Sequence, residues 1–250
     1  PVYAYAPASR DYVRTTHLAS ARAAVVAAQK ELAEARKKVA NAPKEKPKPN
    51  PKPKPPLPTP KFAVKDDFSK LNAELWEVVG KGWKFKDGAA HQTTATRETE
   101  RLVLRPKMPR DFELICKYTH TGGSTYKSVT FRFDVTADRK YANYVYTSAH
   151  APGPKLHVAY TRGGASTYPP DGLVAQPIAI GKPYTLRLAV RDRLVNVWLN
   201  GKFQIAYTLP ERKPRGRLEL SGFDATVAFD DITIRSLSTD VKLVQSKNSA

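Results

Sequence analysis

The chain has 250 residues, enough for one sizeable domain with attachments or two small ones, and no apolar run approaches the ~18 residues of a membrane-spanning helix. Its 41% apolar and 10% aromatic shares are those of a globular protein, and its single cysteine, Cys116, excludes an intrachain disulfide and any cysteine-based zinc or haem motif. A net charge of +19 favours anionic partners: nucleic acid, acidic polysaccharide, cell-wall polymer or anionic lipid. That charge is spread out, with 12 Lys/Arg against 4 Asp/Glu in residues 1–60 and 30 against 19 in residues 61–250.

The first residue is Pro1 rather than Met, which reads as a chain processed or cut from a longer protein. The stretch from Thr15 to about Ala40 predicts one helix, capped at Thr15 or Thr16 and rich in Ala, Glu, Lys, Arg and Gln. Leu18, Val25, Leu32 and Val39 recur every seven residues, with Ala21, Ala28 and Ala35 three places on. This heptad seam asks for another helix or domain to pack against, and no second helix of comparable strength follows.

Nine of the 21 prolines fall between Pro43 and Pro60, in PKEKPKPNPKPKPPLPTP. Proline fixes φ and disfavours helix in the residue before it, so residues 43–60 predict an extended Lys/Pro linker. At ~3.1 Å per residue it spans roughly 55 Å. Docking to an SH3-like domain or to an anionic polymer is the alternative reading of the same composition.

From Lys61 onward, about a dozen short runs with period-2 alternation are separated by turn signals, among them DFELICKYT, KSVTFRFD, YANYVYTSA, PYTLRLAV and VNVWLN. This predicts an all-β domain over residues 61–240, an antiparallel two-sheet sandwich, and a frayed tail over 241–250. Cys116, within the apolar run FELICKY, is expected to pack as a small hydrophobe.

A turn at Asp192 and Arg193 places Leu186 opposite Leu199, Leu188 opposite Val197 and Val190 opposite Val195, so core meets core. The same register puts Arg187 across from Trp198 on the other face, beside Asn196. Arg132 alternates with Phe131 and Phe133, and Tyr144 and Tyr146 share a phase. One face carrying Trp198, Arg187, Arg132, Asn196, Tyr144 and Tyr146 would suit a sugar: aromatic rings stack on C–H faces, while amides and guanidinium groups bond hydroxyls or acidic groups. The competing reading is a Trp198–Arg187 cation–π pair beneath a covering loop.

Catalytic and metal chemistry find less support. Glu98 and Glu100 share a phase but no fixed partner, and Asp134 stands alone. Asp230 and Asp231 suit the closing strand or a structural Ca²⁺. His17, His91, His120, His150 and His157 show no HxH or HExxH spacing, and TGGS and RGGAS are hairpin tips rather than phosphate loops. The basic residues form no reading helix and no aromatic RNA-binding motif, which argues against nucleic acid.

The opening DDFSKLNAELWEVVGKGWKFKDGAAHQ and the close VNVWLNGKFQIAYTL, RGRLELSG and VAFDDITIRSL resemble the concanavalin A-like lectin/glucanase superfamily, most of all its laminin-G-like and 3-keto-disaccharide hydrolase-like members. The helix and linker ahead of them are similar to those of large secreted multidomain proteins of planctomycete-type bacteria. The resemblance implies a jelly-roll domain. The E-x-D-x-x-E strand of laminarinase-type glucanases is missing, as is any CxxCH haem motif. The expectation is a non-catalytic module for an acidic or sulfated glycan, in a secreted, periplasmic or cell-envelope protein. The alternatives are a 3-keto-disaccharide hydrolase-type enzyme and a purely structural assembly module.

Overall fold

Two strands organise the β domain because each is long enough to run through both of its layers. In the computed structural model, which describes residues 8–40 and 62–248, these are β6 (Phe112–Val135) and β14 (Arg217–Ser236). The others are β1 (Ala63–Asp66), β2 (Trp76–Val79), β3 (Trp83–Lys86), β4 (Ala89–Thr96), β5 (Arg101–Leu104), β7 (Ala142–Ser148), β8 (Lys155–Arg162), β9 (Ala165–Thr167), β10 (Leu173–Ala175), β11 (Pro183–Arg191), β12 (Leu194–Leu199) and β13 (Lys202–Thr208).

The first layer runs β1, the end of β14, the start of β6, β11, β12 and β13, all antiparallel. The second runs β10, β8, β7, the end of β6, the start of β14, β5 and β2. The expected separate strands DFELICKYT and KSVTFRFD form one long strand that bends at Gly122 and Gly123, which pair with Thr226 and Ala225; the register then shifts across residues 124–127, and pairing with β14 resumes at Ser128 opposite Phe223. Gly123 has φ +140°, and a Cβ there would lie 2.1 Å from the Asp224 carbonyl oxygen. Only glycine meets both conditions.

The bend brings the two ends of β6 face to face, with the Phe112 and Phe133 rings 5.4 Å apart. Between the layers Phe131, Leu186, Leu188, Val195, Val197, Leu220 and Phe229 are fully buried in one core. Each side chain of that size contributes ~1.5–3 kcal/mol through the area it removes from water. Cys116 lies in the same core, and burial pushes its thiol up in pKa. The domain is an antiparallel two-layer jelly-roll sandwich, as the alternation predicts.

The helix α1 spans Ala8–Ala40, so it starts before Thr15 and Thr16, which sit inside it rather than at its cap. Val25 and Leu32 of the heptad seam are exposed. The linker 43–60 lies outside the described residues. No described helix is long and apolar enough to cross a membrane.

Of the expected frayed tail, residues 241–248 form a strap across the outside of the first layer. Arg191 donates to the carbonyls of Val241 (2.7 Å) and Ser238 (2.5 Å), and Asn196 and Thr208 hold residues further along. The polar composition of the tail hides this anchoring, which comes from the backbone of residues 238, 241 and 244 and from the side chain of Asn248.

Candidate functional site

On the outer face of the first layer the hairpin β11–β12 has the register read from its alternation, with Arg187 paired to Trp198. The guanidinium carbon of Arg187 stands 4.1 Å from the centre of the indole ring. Arg187 Nε also donates to Oε1 of buried Glu113 at 2.6 Å, and Arg235 Nε donates to the other carboxylate oxygen at 2.6 Å. Phe203 meets Trp198 edge to face at 5.5 Å and is 37% exposed.

Asn196 does not belong to an open site. It is fully buried, its Oδ1 accepts the Val244 N–H at 2.7 Å, and its Nδ2 donates to the Val244 carbonyl at 2.9 Å. The strap, not a ligand, uses this amide.

The remaining expected residues stand on the other layer. Arg132 lies on the end of β6 and pairs across the sheet with Tyr144 on β7, two residues from Tyr146. The expectation of one shared face therefore fails, because the bend in β6 turns Arg132 away from the Arg187 side of the molecule. The sandwich presents two outer faces: Trp198, Phe203 and Arg187 on one, and Arg132, Tyr144 and Tyr146 on the other.

The second face is the more elaborate. Arg132 stacks on Tyr144, with its guanidinium carbon 4.5 Å from the ring centre, and pairs with Glu98. Arg139 Nη2 reaches Glu98 at 3.6 Å and Glu219 at 3.2 Å, and Arg101 reaches Glu219 at 3.8 Å. Three guanidinium groups thus meet two carboxylates, leaving one positive charge in excess. Glu98 is held at φ +69°, a left-handed conformation that costs a non-glycine residue energy and that surrounding contacts must sustain. Arg101 supplies one such contact, donating to the Glu98 carbonyl at 2.7 Å. A cleft of about 80 Å³ opens here, lined by Glu98, Arg132, Arg139, Thr161 and Ser166 among others.

Beside the arginines, exposed Tyr168 stands edge-on to Tyr144 and Tyr146, at 6.4 and 6.3 Å. Burial raises the pKa of both inner tyrosines, so they stay protonated donors. His157 Nε2 lies 2.8 Å from the Pro169 carbonyl and so must carry the proton, which leaves Nδ1, at 3.0 Å, to accept from the Tyr146 hydroxyl. Burial lowers the His157 pKa and keeps the ring neutral.

The other acidic candidates have structural partners. Glu100 accepts the backbone N–H groups of Lys81 (3.3 Å) and Gly82 (2.9 Å), far from any pairing with Glu98. Asp134 is buried against Arg212, whose Nε donates to it at 2.7 Å. Asp230 faces the Lys117 ammonium at 3.2 Å. Among the described residues no group of three His, Cys, Asp or Glu side chains converges. Sequence reasoning missed Arg139, Glu219 and Tyr168 and weighed His157 only as a metal ligand; the four come from separate segments. Only the phase of Glu219, opposite to Leu218 and Leu220, marks its outward direction.

A family model described as a 3-keto-alpha-glucoside-1,2-lyase-like domain matches residues 65–235, well over half of the chain. The chain belongs to this family. The 3-keto-alpha-glucoside-1,2-lyase-like domain is similar in fold to the carbohydrate-binding module CBM66 from Bacillus subtilis, with a TM-score of 0.55 and 18% identity over 64% of this chain and 95% of that one. A Bacillus licheniformis beta-glucanase superposes with a TM-score of 0.54 and 9% identity, covering 70% and 98%. An endo-acting O-glycanase of the human gut microbiota does so at 0.55 and 12%, covering 72% and 100%. At these identities the likeness is one of fold. No curated protein matches the chain in sequence.

Proposed function

We propose that the 3-keto-alpha-glucoside-1,2-lyase-like domain binds an acidic glycan on the outer face of its second layer, without cleaving it. The observation that carries this reading is the three-to-two excess of Arg101, Arg132 and Arg139 over Glu98 and Glu219, set beside the ring of Tyr168. A sugar ring would stack on Tyr168, its hydroxyls would bond the rim of the cleft, and a carboxylate or sulfate would take up the unbalanced guanidinium charge. The carbohydrate-active proteins that share the fold support the ligand class. The net charge of +19 supports the acidic preference, and secretion fits such a ligand. The helix α1 would then anchor the module, through its exposed Val25 and Leu32, to another helix of a larger assembly. Calorimetry with hexagalacturonate tests the reading: binding that weakens with salt and is lost in Tyr168→Ala is expected, and no binding at low salt would reject it.

A second reading follows from the family and from one feature of the site. Elimination across C1–C2 of a 3-keto-glucoside needs a base for the C2 proton, which the ketone acidifies, and a donor for the leaving oxygen at C1. Glu98 and Glu219 both reach Arg139 Nη2, so two carboxylates do converge here, and the protonated Tyr146 lies on the same face. Release of the alcohol from a 3-keto-glucoside, lost in Glu98→Gln, would decide for an enzyme.

A further inference from the structure

A cavity of about 540 Å³ lies at the open edge of the first layer, between β13 and the C-terminal strap, and shares no lining residue with the Arg132 cleft. Its volume is in the ~300–1,000 Å³ range of small-molecule sites. Its walls are fixed at two points. Asn196 clamps Val244, and the Asn248 side chain clamps Thr208, accepting its N–H at 2.9 Å and donating to its carbonyl at 3.1 Å.

The second clamp reveals the direction of the β13 backbone. Both polar groups of Thr208 point away from β12, and in an antiparallel strand alternate residues point the same way. The N–H and carbonyl of Ala206, two residues earlier in an unbroken register, therefore point into the cavity that Ala206 lines. The half-exposed ring of Phe203 forms one wall, braced by Trp198 at 5.5 Å. Gln204 and Gln245 add amides, and the one acid, Asp171, is matched by the one base, Lys247.

An aromatic ring, a backbone donor and acceptor, amides and no net charge make a site for an uncharged polyol ring. We propose that this cavity is a second carbohydrate site, specific for a neutral sugar unit, which stacks on Phe203 and bonds through its hydroxyls to Ala206, Gln245 and Asp171. It is chemically distinct from the arginine-lined cleft and does not depend on that cleft binding any ligand.

The test is titration of the full chain with laminarihexaose, cellohexaose and maltohexaose, with hexagalacturonate as the acidic control, followed by amide NMR shifts and calorimetry. At least one neutral hexasaccharide is expected to shift the amides of Ala206 and Gln245. Phe203→Ala and the surface change Gln245→Ala should each weaken that binding fivefold or more and leave hexagalacturonate affinity within twofold of its starting value. The proposal is overturned if none of the three neutral sugars binds, if their shifts fall only around Tyr168, or if both variants bind them as the parent does.

Discussion

Asn196 and Val244 are bound to each other by both ends of a side-chain amide, at 2.7 and 2.9 Å, as if the asparagine were one residue of a neighbouring strand. The outer face of β12 is thus divided between Asn196, which the strap covers, and Trp198, which stays partly exposed. Replacing Asn196 by Ala removes two buried hydrogen bonds and strands the Val244 amide, at about 1–3 kcal/mol. The expected result is a lower urea midpoint and faster hydrogen exchange at Val244, with hexagalacturonate affinity unchanged. Unaltered exchange at Val244 would mean that the strap is held by other contacts.

Arg132 makes its pairing with Glu98 and its stacking on Tyr144 from one side chain. In the proposed complex it supplies a charge-assisted hydrogen bond worth ~1.5–3 kcal/mol, so Arg132→Ala should weaken hexagalacturonate binding by tenfold or more. Because Arg132 is nearly buried, part of that loss should persist at high ionic strength, where exposed charges are screened beyond ~10 Å at 0.1 M salt. A loss that vanishes entirely with added salt would place Arg132 in a long-range role only.

Glu113 is the anchor of the first layer's outer face, holding Arg187 and Arg235 on separate oxygens. The Glu113→Gln variant keeps the shape but removes the charge, leaving two half-exposed arginines unpaired. A loss of ~1–3 kcal/mol in thermal or urea stability is expected. Trp198→Ala, on the same face, removes the surface on which Arg187 lies and costs about 0.5–2 kcal/mol in lost cation–π attraction. Neither change should alter hexagalacturonate affinity by more than twofold, because the Arg132 cleft lies on the opposite layer.

What could be read from the residues, and what could not, follows from the range of the interactions. The Arg187–Trp198 pairing was legible because a two-residue turn between strictly alternating strands leaves one register that puts Leu188 against Val197. The sandwich was legible from the same alternation repeated. The division of the polar residues between two faces was not, since it depends on a bend at Gly122 and Gly123 inside a strand that reads as two. Arg139 and Glu219 meet Glu98 from segments 41 and 121 positions away, and no local pattern joins them. The strap was illegible because most of its contacts are made by backbone carbonyl and amide groups that every sequence possesses, and the one side-chain clamp, Asn248 on Thr208, joins residues 40 positions apart.

Two buried histidines make stability depend on pH below neutrality. His120, fully buried with Nε2 3.0 Å from the Thr147 hydroxyl, has its pKa lowered to about 4 by burial, and His157 is lowered by the same cause. Both titrate near 6.5 when the chain is unfolded. Since the folded values lie below the unfolded ones, the unfolded chain takes up protons first as pH falls. The stability from keeping these rings neutral is fully present above about pH 6.5 and is lost on descending toward pH 4. At 1.36 kcal/mol per pKa unit, His120 alone accounts for about 3 kcal/mol of that loss. Urea unfolding at pH 7.5 and 4.5 should therefore show a marked fall in midpoint, reduced in His120→Gln, which cannot be protonated. An equal fall in the variant would assign the acid sensitivity to groups other than His120.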